Sequence, residues 1–284
     1  WWGLSQLPKL NTDNEEVRNF IYEVATYWLN QGIDGWRLDV PEMINDLDFW
    51  REFRLRCKEI TPECYLVGEF WHKADRWIQG DIFDGQMDYP LAYNILGFFL
   101  AGTGQIDWNQ VIGTGFERQI PRVHGNVLAQ GLKHLLNNNG ALNLNILSSH
   151  DVPRLRTLYT GEDTLPLKLA FLMQMTLPGA PCVYYGEEIG MRGGKDPDNR
   201  RPYPWSDITR EEKELRTFLE NAITLRNNYA SLRRGDFSLR YVSHDAIVYS
   251  RNGSEQELSI GFNRGTVPIS LEDELNFPLE ELLS

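Results

Sequence analysis

Arg37 and Asp39 stand two residues apart at the far end of the apolar run GIDGWRLDV, residues 32–40. On a strand they face one side and Leu38 faces the other. Glu69 closes a second run, CYLVGEF (64–70), and Trp71 and His72 follow it. His150 and Asp151 end a third run, within SSHDVPR. A carboxylate beside an arginine stays ionised, because nearby positive charge favours the charged form, and it can then act as a nucleophile. A carboxyl among aromatic side chains, as Glu69 is beside Phe70 and Trp71, can keep its proton and serve as an acid. A third carboxylate can stabilise positive charge developing on a sugar ring. These are the parts of a retaining glycosidase, which needs a nucleophile and an acid/base about 5 Å apart. Any one strand-end carboxylate reads as well as a helix cap or an ion pair. Three such ends, two with a basic neighbour, are hard to assign to packing alone.

The elements that must position these groups alternate along the chain. Apolar runs at 33–40, 64–70, 81–89, 142–150 and 180–189 read as buried strands. Helical patterns at 14–31, 46–60, 164–176 and 209–229 separate them. The first helix opens on Asp13, Asn14 and Glu16 and ends at Gly32, which are start and stop signals. The segment 91–141 is less regular and is expected to hold helices around a long loop. Strand followed by helix, repeated, predicts an α/β fold with parallel strands covered by helices. In β/α barrels the carboxyl ends of the strands carry the catalytic groups, which is where the ionisable residues gather here. From about residue 232 the pattern changes to short β-type runs with turn residues, RNGSE among them, and predicts a small antiparallel domain.

Composition bounds the function. The 284 residues are 42% hydrophobic, enough for a full core, and the net charge is -12. That charge disfavours nucleic acid and anionic membrane surfaces as partners. Nine Trp and twelve Tyr offer stacking surfaces for sugar rings, although core packing accounts equally well for any single ring. Cys57, Cys64 and Cys182 lack metal-ligand spacing and read as reduced thiols, which favours a cytoplasmic location. His124, His134 and His244 lack acidic or thiol partners at metal spacing, and DPDNRR lacks the spacing of a calcium loop. No metal ligand is assigned.

GIDGWRLDV, LVGEFWH and NILSSHDVPR resemble the strand-end motifs of the α-amylase family of glycoside hydrolases. LPKLN (7–11) is similar to the motif that marks its neopullulanase, cyclomaltodextrinase and maltogenic amylase branch, with Leu7 where Met is common. GMRGGKDPDNRRPYPW (190–205) resembles that branch's motif after the last barrel strand. The resemblance implies Asp39 as nucleophile, Glu69 as acid/base and Asp151 as transition-state stabiliser. It implies that Arg37 and His150 hold the nucleophile and sugar hydroxyls. Trp71 and His72 would line the cleft, and Asp196 and Arg200 would contact sugar on the glycone side.

The same resemblance implies a (β/α)8 TIM barrel lacking its first three strands over 1–231, and the start of an all-β C-terminal domain over 232–284. Such an open barrel exposes strand edges and is expected to be poorly stable and nearly inactive by itself. Calcium, common in the wider family, would belong to the part not present. So would the N-terminal domain through which this branch dimerises. The implied substrates are α-1,4- and α-1,6-linked glucans such as cyclodextrins, pullulan, starch and maltooligosaccharides. An α-glucosidase or α-amylase type of enzyme, or an inactive carbohydrate-binding homologue, are the alternatives. The last of these commonly loses a carboxylate, and all three are present here.

Overall fold

The computed structural model describes residues 3–101, 122–137, 142–254 and 256–269. The long loop expected within 91–141 lies largely outside the described residues, as do the side chain of His134 and the end of the C-terminal segment. The chain forms two compact units, Trp1–Met87 with Asn138–Leu144, and Asp88–Asn137 with Asn145–Ser284.

The first unit begins with α1 (Glu15–Asn30), capped by the Asn14 side chain, which accepts from the Glu16 amide. Its Tyr22, Ala25 and Leu29 recur at helical spacing and are buried. Gly32, at φ 95°, turns the chain out of the helix in a conformation that a side chain would resist. β1 (Gly35–Leu38) follows, and then α2 (Leu47–Ile60), capped by Asp46. Asp46 also pairs with Arg18 at 2.5 Å, tying α1 to α2. α2 buries Phe49, Trp50, Phe53 and Cys57, which pack with Leu66, Phe70, Trp77 and Phe83 into an aromatic core under the sheet.

β2 (Tyr65–Phe70) runs parallel to β1, with Gly35 opposite Tyr65 and Leu38 opposite Gly68. Gly35 must be glycine, because a Cβ there would lie 2.0 Å from the Tyr65 carbonyl oxygen. The Asp84 amide donates to Leu66 and leads into β3 (Gly85–Asp88). Met87 pairs in parallel with Leu144 of β4 (Leu144–Asn145).

In the second unit α3 (Tyr89–Phe99) is buried nearly all round, while α4 (Gly125–Asn137), α5 (Leu155–Leu158) and α6 (Leu165–Thr176) follow in order. Cys182 donates its amide to Asn145 beside β5 (Ala180–Pro181). The fifth strand was expected to reach residue 189. It is shorter because Pro181 has no amide proton for the ladder and Gly186, at φ 84°, turns the chain into a 3-10 turn at Glu187–Ile189. α7 (Arg210–Asn228) opens with a capping box between Thr209 and Glu212. Its buried Arg226 donates to the carbonyls of Met175, Leu177, Gly179 and Leu232, closing the end of α6. After α8 (Ala230–Arg234) come β6 (Asp236–Val242), β7 (Ala246–Asn252) and β8 (Glu257–Asn263), an antiparallel three-stranded sheet. Its Arg251 donates to Thr176 and its Tyr249 hydroxyl meets the Thr176 hydroxyl at 2.5 Å.

Candidate active site

Arg37 organises the site residues of the first unit. Its Nη1 donates to Asp39 Oδ1 at 2.6 Å, and its Nη2 forms an ion pair with Glu69 Oε1 at 2.5 Å. Its Nε faces Met87 Sδ at 3.4 Å. One guanidinium therefore holds two carboxyls from the ends of adjacent parallel strands within a few ångströms of each other. Their settings differ sharply: the Glu69 side chain is 2% exposed and that of Asp39 is 66% exposed. Pairing by Arg37 keeps Asp39 oriented while leaving it open to solvent and to a ligand.

Val40 turns the chain directly after Asp39. Its φ is 37°, a left-handed conformation that is costly for a β-branched residue, and its amide donates to Glu69 Oε2 at 3.4 Å. Trp71 is half-buried. His72 is exposed, with Nε2 3.6 Å from the Glu42 carboxylate, and its carbonyl accepts from Gln86. The thiols are all free; Cys57 and Cys64 are buried, and burial pushes the Cys57 pKa up to about 12, which makes it unreactive.

The second unit places His150 and Asp151 in the turn after β4. His150 Nε2 lies 3.1 Å from Asp151 Oδ2, and Arg200 Nη2 lies 3.1 Å from Asp151 Oδ1. Arg200 also pairs with Asp196 at 2.7 Å and donates to the His150 carbonyl at 3.0 Å. The Asp151 amide donates to Ser149 Oγ, which meets the Tyr89 hydroxyl at 2.8 Å. Asp151 is thus held by two basic side chains and a hydrogen-bonded backbone. Arg200 and Asp196, expected at the sugar, are here joined to each other, and Arg200 to Asp151.

A buried carboxyl lies behind this turn. Glu187 is 2% exposed, accepts from Ser148 Oγ at 2.8 Å and from the Leu155 amide, and lies 3.9 Å from the guanidinium of the fully buried Arg154. Burial pushes its pKa up to about 7, outweighing Ser148, Arg154 and the Leu155 amide, with the neighbouring Glu188 acting in the same direction as burial. The folded state therefore holds a proton that the unfolded state releases near pH 4.5. Stability from this group is full below that pH and is lost as pH rises through about 7, by on the order of 3 kcal/mol. Glu187→Gln should flatten that dependence. Urea unfolding at pH 5 and pH 8 measures it, and equal pH dependence in both proteins would refute the assignment.

The family model described as Alpha amylase, catalytic domain, matches residues 2–233. The chain belongs to the α-amylase family. Among its relatives in that family, a cyclomaltodextrinase of Geobacillus thermopakistaniensis is 40% identical over 268 residues, 91% of this chain and 42% of that protein. Neopullulanase 2 of Thermoactinomyces vulgaris is 37% identical over 265 residues, again 91% and 42%. The chain thus spans less than half the length of these relatives. The native debranching enzyme of Nostoc punctiforme superposes with a TM-score of 0.84 at 38% identity, covering 94% of this chain and 54% of that one. The relatives bear the names of the branch to which LPKLN and the 190–205 motif pointed.

Sequence reasoning singled out Arg37, Asp39, Glu69, His150 and Asp151 but passed over Val40, Arg154, Glu187 and Asn199. Val40, Arg154 and Asn199 stand inside quoted α-amylase motifs, and Glu187 stands in the run 180–189 just before the last of them. The available signal was polarity, in Arg154, Glu187 and Asn199, next to apolar or strand-end sequence. Their burial is a product of tertiary packing that local pattern does not encode.

Proposed function

We propose that the protein is a retaining glycoside hydrolase that cleaves α-1,4-glucosidic bonds, and α-1,6 bonds where its cleft admits them, in cyclodextrins, pullulan, starch fragments or maltooligosaccharides. The observation that carries this reading is the Arg37 fork, which supports one exposed and one buried carboxyl at neighbouring strand ends. Asp39 attacks the anomeric carbon while Glu69 protonates the leaving oxygen; Glu69 then deprotonates the water that releases the glycosyl ester. Asp151, with His150 and Arg200, stabilises the charged sugar and orients its hydroxyls. Trp71 and His72 flank the leaving-group side. In this reading β1 to β5 are five of the eight strands of a (β/α)8 barrel, and the antiparallel sheet belongs to a C-terminal domain. The negative net charge and the aromatic content accord with a neutral saccharide substrate. Among the described residues no helix is long and apolar enough to cross a membrane.

The test is stereochemical. Proton NMR of freshly released sugar, from the full-length enzyme with all eight barrel strands incubated with β-cyclodextrin and with maltoheptaose, is expected to show the α-anomer before mutarotation. Initial release of the β-anomer would refute Asp39 as a nucleophile. Absence of any cleavage by the full-length enzyme, with all eight barrel strands present, would favour the carbohydrate-binding alternative.

A further inference from the structure

Asp151 lies beyond β4, where no strand ladder fixes its backbone. A side chain distant in sequence does so instead. Asn199 is fully buried, and its Nδ2 donates to the carbonyl of His150 at 2.6 Å and to that of Val152 at 2.9 Å. Both amide protons are used on the residues either side of Asp151. Asn199 is itself anchored, because Arg154 Nε donates to its carbonyl at 2.9 Å. Arg154 is fully buried, donates to Tyr185 at 2.5 Å and faces Glu187, which in turn holds Ser148 and the Leu155 amide at the two ends of the turn. The next residue, Arg200, reaches the Asp151 carboxylate directly.

We propose that Asn199 is a positioning residue for Asp151, clamping the carbonyls on both sides of it so that its carboxylate keeps one direction, with Arg154 and Glu187 anchoring the clamp. The proposal rests on Asp151 as the transition-state stabiliser. The buried NH2 group of Asn199 is satisfied only when both carbonyls stay in place, so it transmits geometry as well as stability. A displacement of about 1 Å at a reacting group costs on the order of a hundredfold in rate.

The experiment compares, in the full-length enzyme with all eight barrel strands, Asn199→Ala and the milder Asn199→Ser, which keeps one donor, with Gln174→Ala. Gln174 is also buried and donates to two carbonyls, those of Asn145 and Cys182, without touching the Asp151 turn. The readouts are thermal unfolding, kcat and KM on maltoheptaose, and the His150 ring resonances, assigned by loss in His150→Gln. Asn199→Ala is expected to lower kcat about a hundredfold and Asn199→Ser about tenfold, with KM within about threefold and the His150 resonances displaced. Gln174→Ala is expected to lose similar thermal stability with kcat within about threefold and His150 unmoved. Equal loss of kcat in Gln174→Ala and Asn199→Ala, or an unmoved His150 in both Asn199 variants, overturns the proposal. A full-length wild-type enzyme without turnover refutes the hydrolase reading, and the His150 displacement then decides the clamp by itself.

Discussion

In the full-length enzyme, Asp39→Asn should lower kcat on maltooligosaccharides by roughly ten-thousandfold, about 5 kcal/mol of lost transition-state stabilisation, while sugar binding survives. The amide keeps the shape of the side chain but cannot form the glycosyl ester. Structural disturbance should be slight, because Asp39 is largely exposed and Arg37 keeps its second partner, Glu69. The loss should therefore fall on kcat, with KM nearly constant. Steady-state kinetics on maltoheptaose, beside calorimetric titration of a non-hydrolysed maltooligosaccharide analogue, separates the two effects. A variant as fast as wild type would remove Asp39 from the mechanism, and lost binding with unchanged kcat would recast it as a sugar ligand.

Much of this site was legible because its ionisable residues interrupt apolar runs. Arg37 and Asp39 share a strand face by period alone, and the structure joins them. Glu69 stands at the end of the run that pairs with β1 in parallel. The α1 boundaries followed from Asn14 and Gly32, whose start and stop chemistry is local. What was not legible is non-local. That Arg37 also pairs with Glu69 depends on the β1–β2 register. That Glu187 and Asn199 are buried behind Asp151 depends on chain folding back after Gly186, where sequence pattern extended the strand. The left-handed Val40 was invisible as well, since valine before proline signals extended backbone.

Glu69→Gln should separate substrates by leaving group. The amide cannot donate a proton to the glycosidic oxygen, so maltooligosaccharides, whose leaving sugar is a poor one, should lose about a thousandfold or more in kcat/KM. An α-glucosyl fluoride departs without protonation and should lose less than about tenfold in the first step. The alkaline limb of the pH profile should vanish in the variant, because that limb reports loss of the proton that Glu69 must carry. The structure adds a condition. Glu69 Oε1 is ion-paired with Arg37 at 2.5 Å, so in the proposed mechanism the proton for the leaving oxygen is carried on Oε2, the oxygen that faces the Val40 amide. Rates for maltoheptaose and α-maltosyl fluoride across pH 4 to 9, in full-length wild type and Glu69→Gln, test this role. Equal losses on both substrates, or an alkaline limb that persists in Glu69→Gln, would show that another group supplies the proton.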